Sequence, residues 1–378
     1  MGGRGLEDAK RRRSTGKPKY QKVEEGLKAW IADQGLGPGD RLPTEAQLAE
    51  RFAVSRLTVR HAVGNMVHQG LLSQVQGRGT FYLGSGDKGP ASKMVAVVVT
   101  YINDYIFPDI IHGIEARLNL EGYAVLLLST GNDSAKEALA IEAIRRRRVD
   151  GLILEPTRSM LPNPNLPLFG QLVQSGIPMV MVHANYDGLS SSSVEVNDMR
   201  GGALVAEHLS GLGHRDIGSI IKMDDKQGSR RLQGFIGGLS AHGIVFDASW
   251  CQLFTTESKG TVAELYAQRL AKTASDQRPS AVFCYNDEIA VDLIGRLYNL
   301  GLSVPGDVSV VGFDDADLAS AVPAGLTTVT HPKADMGMKA AEMILEAIAH
   351  RETTSYVFDP VLVTRGTTKA RDLVATWS

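Results

Sequence analysis

Between residues 94 and 325 the sequence alternates short apolar runs with amphipathic stretches of helix length, and this alternation limits the fold more than any other feature. The strand-like runs are Val95–Tyr101, Ala124–Ser129, Gly151–Glu155, Pro178–His183, Ile217–Lys222, Ala281–Tyr285 and Val308–Phe313. Short continuous apolar runs are buried on both faces, and intervening helices imply parallel pairing with helices on either side. There are too many strands for one ordinary open sheet. The spacing predicts two similar α/β lobes near 94–194 and 195–325, split near 194–197 and 326–330, with the tail Leu326–Ser378 returning to complete both. No run approaches the ~20 apolar residues of a membrane helix, so no membrane partner is expected.

Ahead of residue 88 the pattern changes. Residues 1–88 hold 15 Lys/Arg against 9 Asp/Glu, a net of +6, and the remainder hold 25 against 33, a net of −8. The formal charge of −2 is therefore an average of a basic first quarter and an acidic body, an asymmetry expected of a nucleic-acid module fused to a second domain. Lys10–Arg13 supply four of those cations from a polar tail. The expected divisions are a flexible tail over 1–17, a small domain over 18–84, a Gly-rich linker over 85–92 and a two-lobed domain over 93–378.

The small domain reads as three helices and a hairpin. Tyr20–Gln34 places Val23, Leu27, Trp30 and Ile31 on one face; Pro43-Thr44-Glu45 opens a second helix with Pro and acid early; Ser55 caps a third over Arg56–Gly70. Leu71–Gln76 and Thr80–Leu83 alternate as strands around Gly77-Arg78-Gly79. That order makes a winged helix-turn-helix. The start of a recognition helix needs small polar and basic residues facing out, and Arg56, Thr58 and Arg60 meet that need. Ser55 at the cap leaves backbone N–H groups for a phosphate, and the glycines of the wing let Arg78 enter a minor groove.

Residues 18–83 resemble the GntR-type winged helix, through Lys-Pro-Lys-Tyr20, Leu-Pro-Thr-Glu45, Val-Ser-Arg56-Leu-Thr-Val-Arg60 and Gln76-Gly-Arg-Gly-Thr-Phe81. The resemblance implies DNA contacts from Lys19, Tyr20, Arg41, Glu45, Ser55, Arg56, Thr58, Arg60 and Gln76, Gly77, Arg78 and Gly79. Gln47 stands where many members of that family carry Arg. The body resembles the lactose-repressor and periplasmic sugar-binding fold, through Val304-Pro-Gly-Asp-Val-Ser-Val-Val-Gly-Phe-Asp314-Asp315, Tyr285-Asn-Asp-Glu-Ile-Ala290, Leu209-x-x-Leu-Gly-His214-Arg215 and Arg231-x-x-Gly-Phe235. Within fusions of these two types the chain is similar to arabinose-responsive repressors, notably over Tyr101–Pro108, Gly151–Thr157 and Asp224–Gly228.

The chemistry of the residues agrees with a sugar ligand. Vicinal hydroxyls suit carboxylates and guanidinium groups, and an apolar sugar face suits an aromatic wall. Asp104, Glu155, Asp198, Arg231, Asp287 and Asp314 fall at strand C-termini or helix starts, where open α/β sheets bind ligands. Tyr101, Tyr105 and Phe107 would form the wall; His183, Asn185 and Asn286 would add hydrogen bonds. Helix capping is the competing use of Asp198 and Asp314. Arg231 and Asp287 match the resemblance's hydroxyl-clamping positions most closely, and Arg158 beside Glu155 leaves room for an acidic sugar.

No nucleotide-binding glycine motif follows a strand, and no metal-ligand spacing lies on a helix, so neither enzyme, cofactor nor metal is expected. Two cysteines, Cys251 and Cys284, and no leader-like apolar stretch near Met1–Tyr20 point to a reducing cytoplasm. The expected fold is α/β: an N-terminal winged helix and a doubly wound, two-lobed body like periplasmic binding proteins. The expected function, on resemblance, is a homodimeric repressor of sugar-utilisation genes that binds near-palindromic double-stranded operator DNA and is released by a sugar effector, L-arabinose or a related pentose. An activator or corepressor for another sugar or glycoside is the alternative.

Overall fold

Val23, Leu27 and Ile31 recur four residues apart and form the buried face of α1 (Lys19–Asp33), the first element of the computed structural model. The structure describes residues 18–37, 39–68, 71–75, 79–82, 92–103, 106–189 and 191–371. The chain divides into two compact units, Met1–Pro90 and Ala91–Ser378.

In the first unit α1 packs with α2 (Glu45–Arg51) and α3 (Arg56–His68) over Leu27, Leu48, Val59, Val63 and Met66. Thr44 and Gln47 form a capping box: the Thr44 hydroxyl accepts from the Gln47 N–H and the Gln47 side chain accepts from the Thr44 N–H. Gln47 thus fixes where α2 begins, and Pro43 lies outside the helix, ahead of the cap, rather than at its first position. The wing pairs β1 (Leu72–Val75) antiparallel with β2 (Gly79–Tyr82), with Leu72 opposite Tyr82 and Val75 opposite Gly79.

The second unit holds two large parallel sheets and a separate two-stranded one. The six-stranded sheet contains β3 (Met94–Val99), β4 (Ala124–Ser129), β5 (Gly151–Leu154), β6 (Met179–Val182) and β7 (Ser192–Val196), interleaved with α4 (Phe107–Leu120), α5 (Ser134–Arg146) and α6 (Leu166–Gln174). After α7 (Asp198–Gly211) the second lobe builds a four-stranded sheet from β8 (Ile217–Lys222), β9 (Cys251–Phe254), β10 (Ala281–Cys284) and β11 (Ser309–Val311), with α8 (Lys226–Ala241), α9 (Lys259–Lys272), α10 (Asp287–Asn299) and α11 (Asp317–Ala321). The last elements are β12 (Thr328–Val329), α12 (Lys333–Ile348), β13 (Tyr356–Phe358) and β14 (Leu362–Val363). Strand order is β13-β7-β6-β5-β3-β4 in one lobe and β11-β10-β8-β9 in the other, and every pair in both sheets is parallel.

The tail returns to both lobes. α12 packs on α4, β13 extends the first sheet beside β7, and β14 pairs antiparallel with β12 as a separate two-stranded sheet in the second lobe. The chain therefore crosses between lobes three times, at Asn197, at Thr330–Pro332 and at Asp359–Val361. These crossings are bonded to one another: Asn197 Nδ2 donates to Asp359 Oδ1 at 3.1 Å and the Val361 N–H donates to Thr330 Oγ1 at 2.9 Å. Five strands lie outside the sequence reading: β7 (Ser-Ser-Val-Glu-Val), the partly exposed edge strand β9 and the short tail strands β12, β13 and β14.

Glycines let helix backbones touch. A Cβ on Gly202 of α7 would lie 2.0 Å from the Arg231 carbonyl oxygen of α8, and one on Gly234 would lie 1.8 Å from that of Met199. Gly237, one turn along α8 from Gly234, faces open space. Gly234→Ala should therefore lower the body's unfolding free energy by about 1–3 kcal/mol, whereas Gly237→Ala should raise it by up to about 1 kcal/mol. Urea unfolding of the two variants reads the opposite signs.

Candidate functional site

A cleft lies between the lobes at the C-terminal ends of both sheets. Thr100, Tyr101, Phe107, Asn132, Glu155 and His183 line it from the first lobe; Lys222, Asp225, Gln227, Arg231, Phe254, Tyr285, Asn286 and Asp314 line it from the second; His331 lines it from a crossing. The aromatic wall comes from both sides. Tyr101 meets Phe107 edge-on at 6.4 Å between centroids, and Phe254 meets Tyr285 at 5.8 Å.

Arg231 anchors the second wall. Its guanidinium is 4% exposed. Nε donates to Asp198 Oδ1 at 2.8 Å, Nη1 to the Tyr285 carbonyl at 2.7 Å and Nη2 to Asp314 Oδ1 at 3.3 Å. It also lies 3.6 Å over the Phe313 ring. Burial pushes the Asp198 carboxyl up to about 6 against the opposing pull of Arg231.

Across the cleft, Glu155 accepts from the Thr100 N–H at 2.7 Å, from its hydroxyl at 2.6 Å and from His183 Nδ1 at 3.1 Å. Burial pulls His183 down, but Glu155 outweighs it and holds the imidazole above its ordinary value. Burial and the His183 charge push His331 well below its ordinary value. His183 Nε2 and His331 Nε2 lie 3.1 Å apart, and the other ring nitrogen of His331, Nδ1, takes no part in that contact. That nitrogen is buried without a hydrogen-bond partner among the described residues, as is Gln227 Oε1. Asn286 caps α10 through its oxygen, which accepts from the Ile289 N–H at 3.0 Å, so its amide nitrogen is the part that serves the cleft. His183 (φ 67°) and Asp314 (φ 107°) hold backbone conformations that L-residues rarely adopt.

The structure brings Tyr101, Phe107, Glu155, His183, Arg231, Asn286 and Asp314 together. It does not bring three other expected residues to the cleft surface. Asp198 lies beneath Arg231 and orients it. Asn185 Nδ2 donates to Ser193 Oγ at 3.0 Å, and its carbonyl accepts from Lys226 Nζ at 2.7 Å. Asp287 turns into the second lobe, where it accepts from the Thr328 hydroxyl and from the Ala316 N–H at 2.8 Å. Asp287 thus holds the loop that carries Asp314. Asp104 and Tyr105 lie outside the described residues. Lys222, Asp225, Gln227, Phe254 and His331 were not singled out from sequence; they converge only through the crossings.

The charges of the cleft are internally matched. Lys222 pairs with Asp225 at 3.0 Å, Lys259 with Glu288 at 2.7 Å, Arg231 with Asp198 and Asp314, and His183 with Glu155. Arg158 turns away from the cleft to pair with Glu257 and to donate to the Asn132 carbonyl at 3.0 Å. It thus bridges the lobes and does not serve an acidic ligand. Asn132 Nδ2 to Thr256 Oγ1 at 2.6 Å, the Lys226 N–H to Ser159 Oγ at 2.9 Å and Lys226 Nζ to Asp187 at 2.6 Å also join the lobes, which are closed on each other.

In the winged-helix unit, Lys19 and Tyr20 fall in the first turn of α1, and the Tyr20 ring packs 4.5 Å from that of His61. Arg60 and Glu45 bind each other, with Arg60 Nη2 2.8 Å from Glu45 Oε2. Ser55 Oγ accepts from the Thr58 N–H at 3.2 Å and meets the Thr58 hydroxyl at 2.8 Å, so one of the cap's N–H groups is already satisfied. A Cβ on Gly79 (φ 121°) would lie 2.8 Å from Arg41 Nε, so this glycine lets Arg41 lie against the wing. Arg56 is exposed, and beside it Leu57 is 74% exposed, an apolar group suited to a thymine methyl. Gln76, Gly77 and Arg78 lie outside the described residues.

Residues 19–81 match the gntR family of bacterial regulatory proteins, and residues 206–368 match the periplasmic binding protein-like domain. An arabinose metabolism transcriptional repressor of Geobacillus stearothermophilus is 39% identical over 93% of this chain and 98% of its own length. The chain belongs to the family of arabinose metabolism transcriptional repressors. A second member, from Halalkalibacterium halodurans, is 37% identical over 93% of this chain and 96% of its own. Among solved structures, a LacI family regulator from Enterococcus faecium with bound ribose superposes with a TM-score of 0.63 at 25% identity, covering 74% of this chain and 99% of that one. A LacI family regulator from Mycobacterium smegmatis shares the fold at a TM-score of 0.63 and 24% identity, over 73% of this chain and 99% of its own. The chain is a regulator and not an enzyme, as its family is.

Burial, and next the charge of Asp314, push the Asp287 carboxyl up to about 8. The folded protein then holds a proton there that the unfolded chain releases near pH 4, so stability is lost as pH rises toward 8. Between pH 5 and 8 the wild type should lose more unfolding free energy than Asp287→Asn, read as diverging urea midpoints.

Proposed function

We propose that the chain represses sugar-utilisation genes by binding operator DNA through its winged helix and that a neutral sugar in the cleft releases it. The observation that carries this reading is the pairing of every cleft cation with an acid while Gln227 Oε1 and His331 Nδ1 stay unpartnered between aromatic walls. A neutral polyol supplies the missing donors and acceptors without adding charge. A buried polar atom left unmade costs about 1–3 kcal/mol, so a ligand that meets both gains specificity as well as affinity. L-Arabinose is the first candidate because the family's named members are arabinose repressors, and the ribose bound in a similar fold supports a pentose.

Arg56 and Arg78 read bases, Lys19, Tyr20 and Arg41 bind backbone, and Glu45 sets the direction of Arg60. The body dimerises and presents two heads to a near-palindromic operator in the cytoplasm, since two-fold protein symmetry is mirrored in half-sites. Sugar held by Arg231, Asp314, Asn286 and Glu155 favours closed lobes, whose dimer geometry sets the heads out of register.

L-Arabinose should weaken operator binding by about 5–150-fold, read by fluorescence anisotropy on labelled operator. Tighter binding with sugar would replace this reading with a corepressor or activator. Asp314→Asn should weaken sugar binding at least tenfold in calorimetric titration, while Arg56→Ala should abolish the preference for operator over random DNA and leave that titration unchanged. An unaltered titration for Asp314→Asn would contradict the assignment of the cleft.

A further inference from the structure

On a body with a net charge of −8, four arginines stand in a row, Arg145–Arg148, at the end of α5, and all four are exposed. Arg145 and Arg146 fall in the last helical turn, where cations complement the helix dipole, and both pair with Glu142. Arg147 and Arg148 lie beyond the last helical residue. No ion pair involves either of them among the described residues. The next two residues, Val149 and Asp150, are buried, so the segment that carries the two free guanidinium groups is anchored.

The anchor is also the point where the chain enters the body. The Asp150 carboxylate accepts from the Ser92 N–H at 3.1 Å, the Ser92 hydroxyl at 3.0 Å and the Lys93 N–H at 2.9 Å. This end of the sheet carries strand N-termini and lies opposite the cleft, so sugar binding makes no use of it. Residues 83–91 separate it from Tyr82, the last residue of the wing. Even fully extended, that connection spans at most about 36 Å, close to the ~34–36 Å of one turn of DNA. The anchor of the arginines and the last residue of the wing can therefore lie no farther apart than about one turn of DNA.

We propose that Arg147 and Arg148 bind the phosphate backbone of DNA flanking the operator half-site, a second contact outside the winged helix. The pairing is one of charge complementarity and carries no sequence information; it adds affinity and steers the acidic body's entry end toward the duplex. The proposal rests on the DNA-binding role of the head, and that role has its own readout, the preference of wild type for operator over random DNA.

The test is the salt dependence of DNA binding by the full chain. Each phosphate contact contributes about 0.9 to the slope of log affinity against log salt, so R147A/R148A should flatten the slope by about 1.8 per protomer. Operator and random DNA should weaken by the same factor, the preference between them should stay at its wild-type value, and sugar titration should not change. R147K/R148K, which keeps the charge, should keep the wild-type slope. An unchanged slope in R147A/R148A, or an equal loss in R147K/R148K, would overturn the proposal.

Discussion

A guanidinium buried in a protein must be neutralised where it sits, and in this chain that requirement organises the second lobe. Arg231 reaches from α8 to Asp198 at the start of α7, to the carbonyl that ends β10 and to Asp314 after β11. Removing one partner from such a buried group costs about 3–5 kcal/mol, so four segments are held in one register. The close contact of α7 and α8 at Gly202 and Gly234 keeps the arginine from moving as a helix would otherwise allow. Asp287 adds a further support by fixing the loop that carries Asp314. The protein's own bonds therefore fix this wall, and binding energy is free for closure.

Closure has a mechanical frame. Three crossings join the lobes, and His331 sits on one of them while bonded to His183 of the first lobe. The chain Glu155–His183–His331 thus ties a wall of the cleft to the segment about which the lobes move. The clasps from Asn132, Arg158 and Lys226 lie at the other side of the cleft and hold only when the lobes are together. A ligand that bridges Arg231 and Asp314 to Glu155 and His331 adds to the same closed state. The two units of the chain have opposite charge, so the acidic body leaves DNA affinity to the head and, by our proposal, to the arginines at its entry point.

Much of this was legible in the sequence because parallel strands buried on both faces leave continuous apolar runs, as Ile217–Lys222 does for β8; the partly exposed edge strand β4 also coincides with its run, Ala124–Ser129. β7 and β9 were not legible. Ser-Ser-Val-Glu-Val contains polar residues that pair across the sheet, and β9 is a short edge strand with one face exposed. Arg231 and Asp314, both expected at the ligand site, line the cleft, Arg231 from the second turn of α8 and Asp314 just after β11. Asp287 was misplaced because Asn286 and Asp287 are adjacent at a helix start: one step along α10 turns Asn286 to the cleft and Asp287 into the lobe, and local sequence carries no sign of which way they face. His331 depends on a crossing that only tertiary structure reveals. In the head, Gln47, which stands where many members of the GntR-type family carry Arg, has a structural task in the capping box.

By our proposal one closed state of the body serves both sugar binding and operator release, and thermodynamic linkage makes this measurable from the sugar side. If sugar weakens operator binding by some factor, operator must weaken sugar binding by the same factor. The most direct measurement is calorimetric titration of L-arabinose into the full chain, alone and with saturating operator duplex. Operator should raise the sugar dissociation constant by about 5–150-fold, equal to the loss of operator affinity at saturating sugar. A sugar affinity that is the same with and without operator would contradict it.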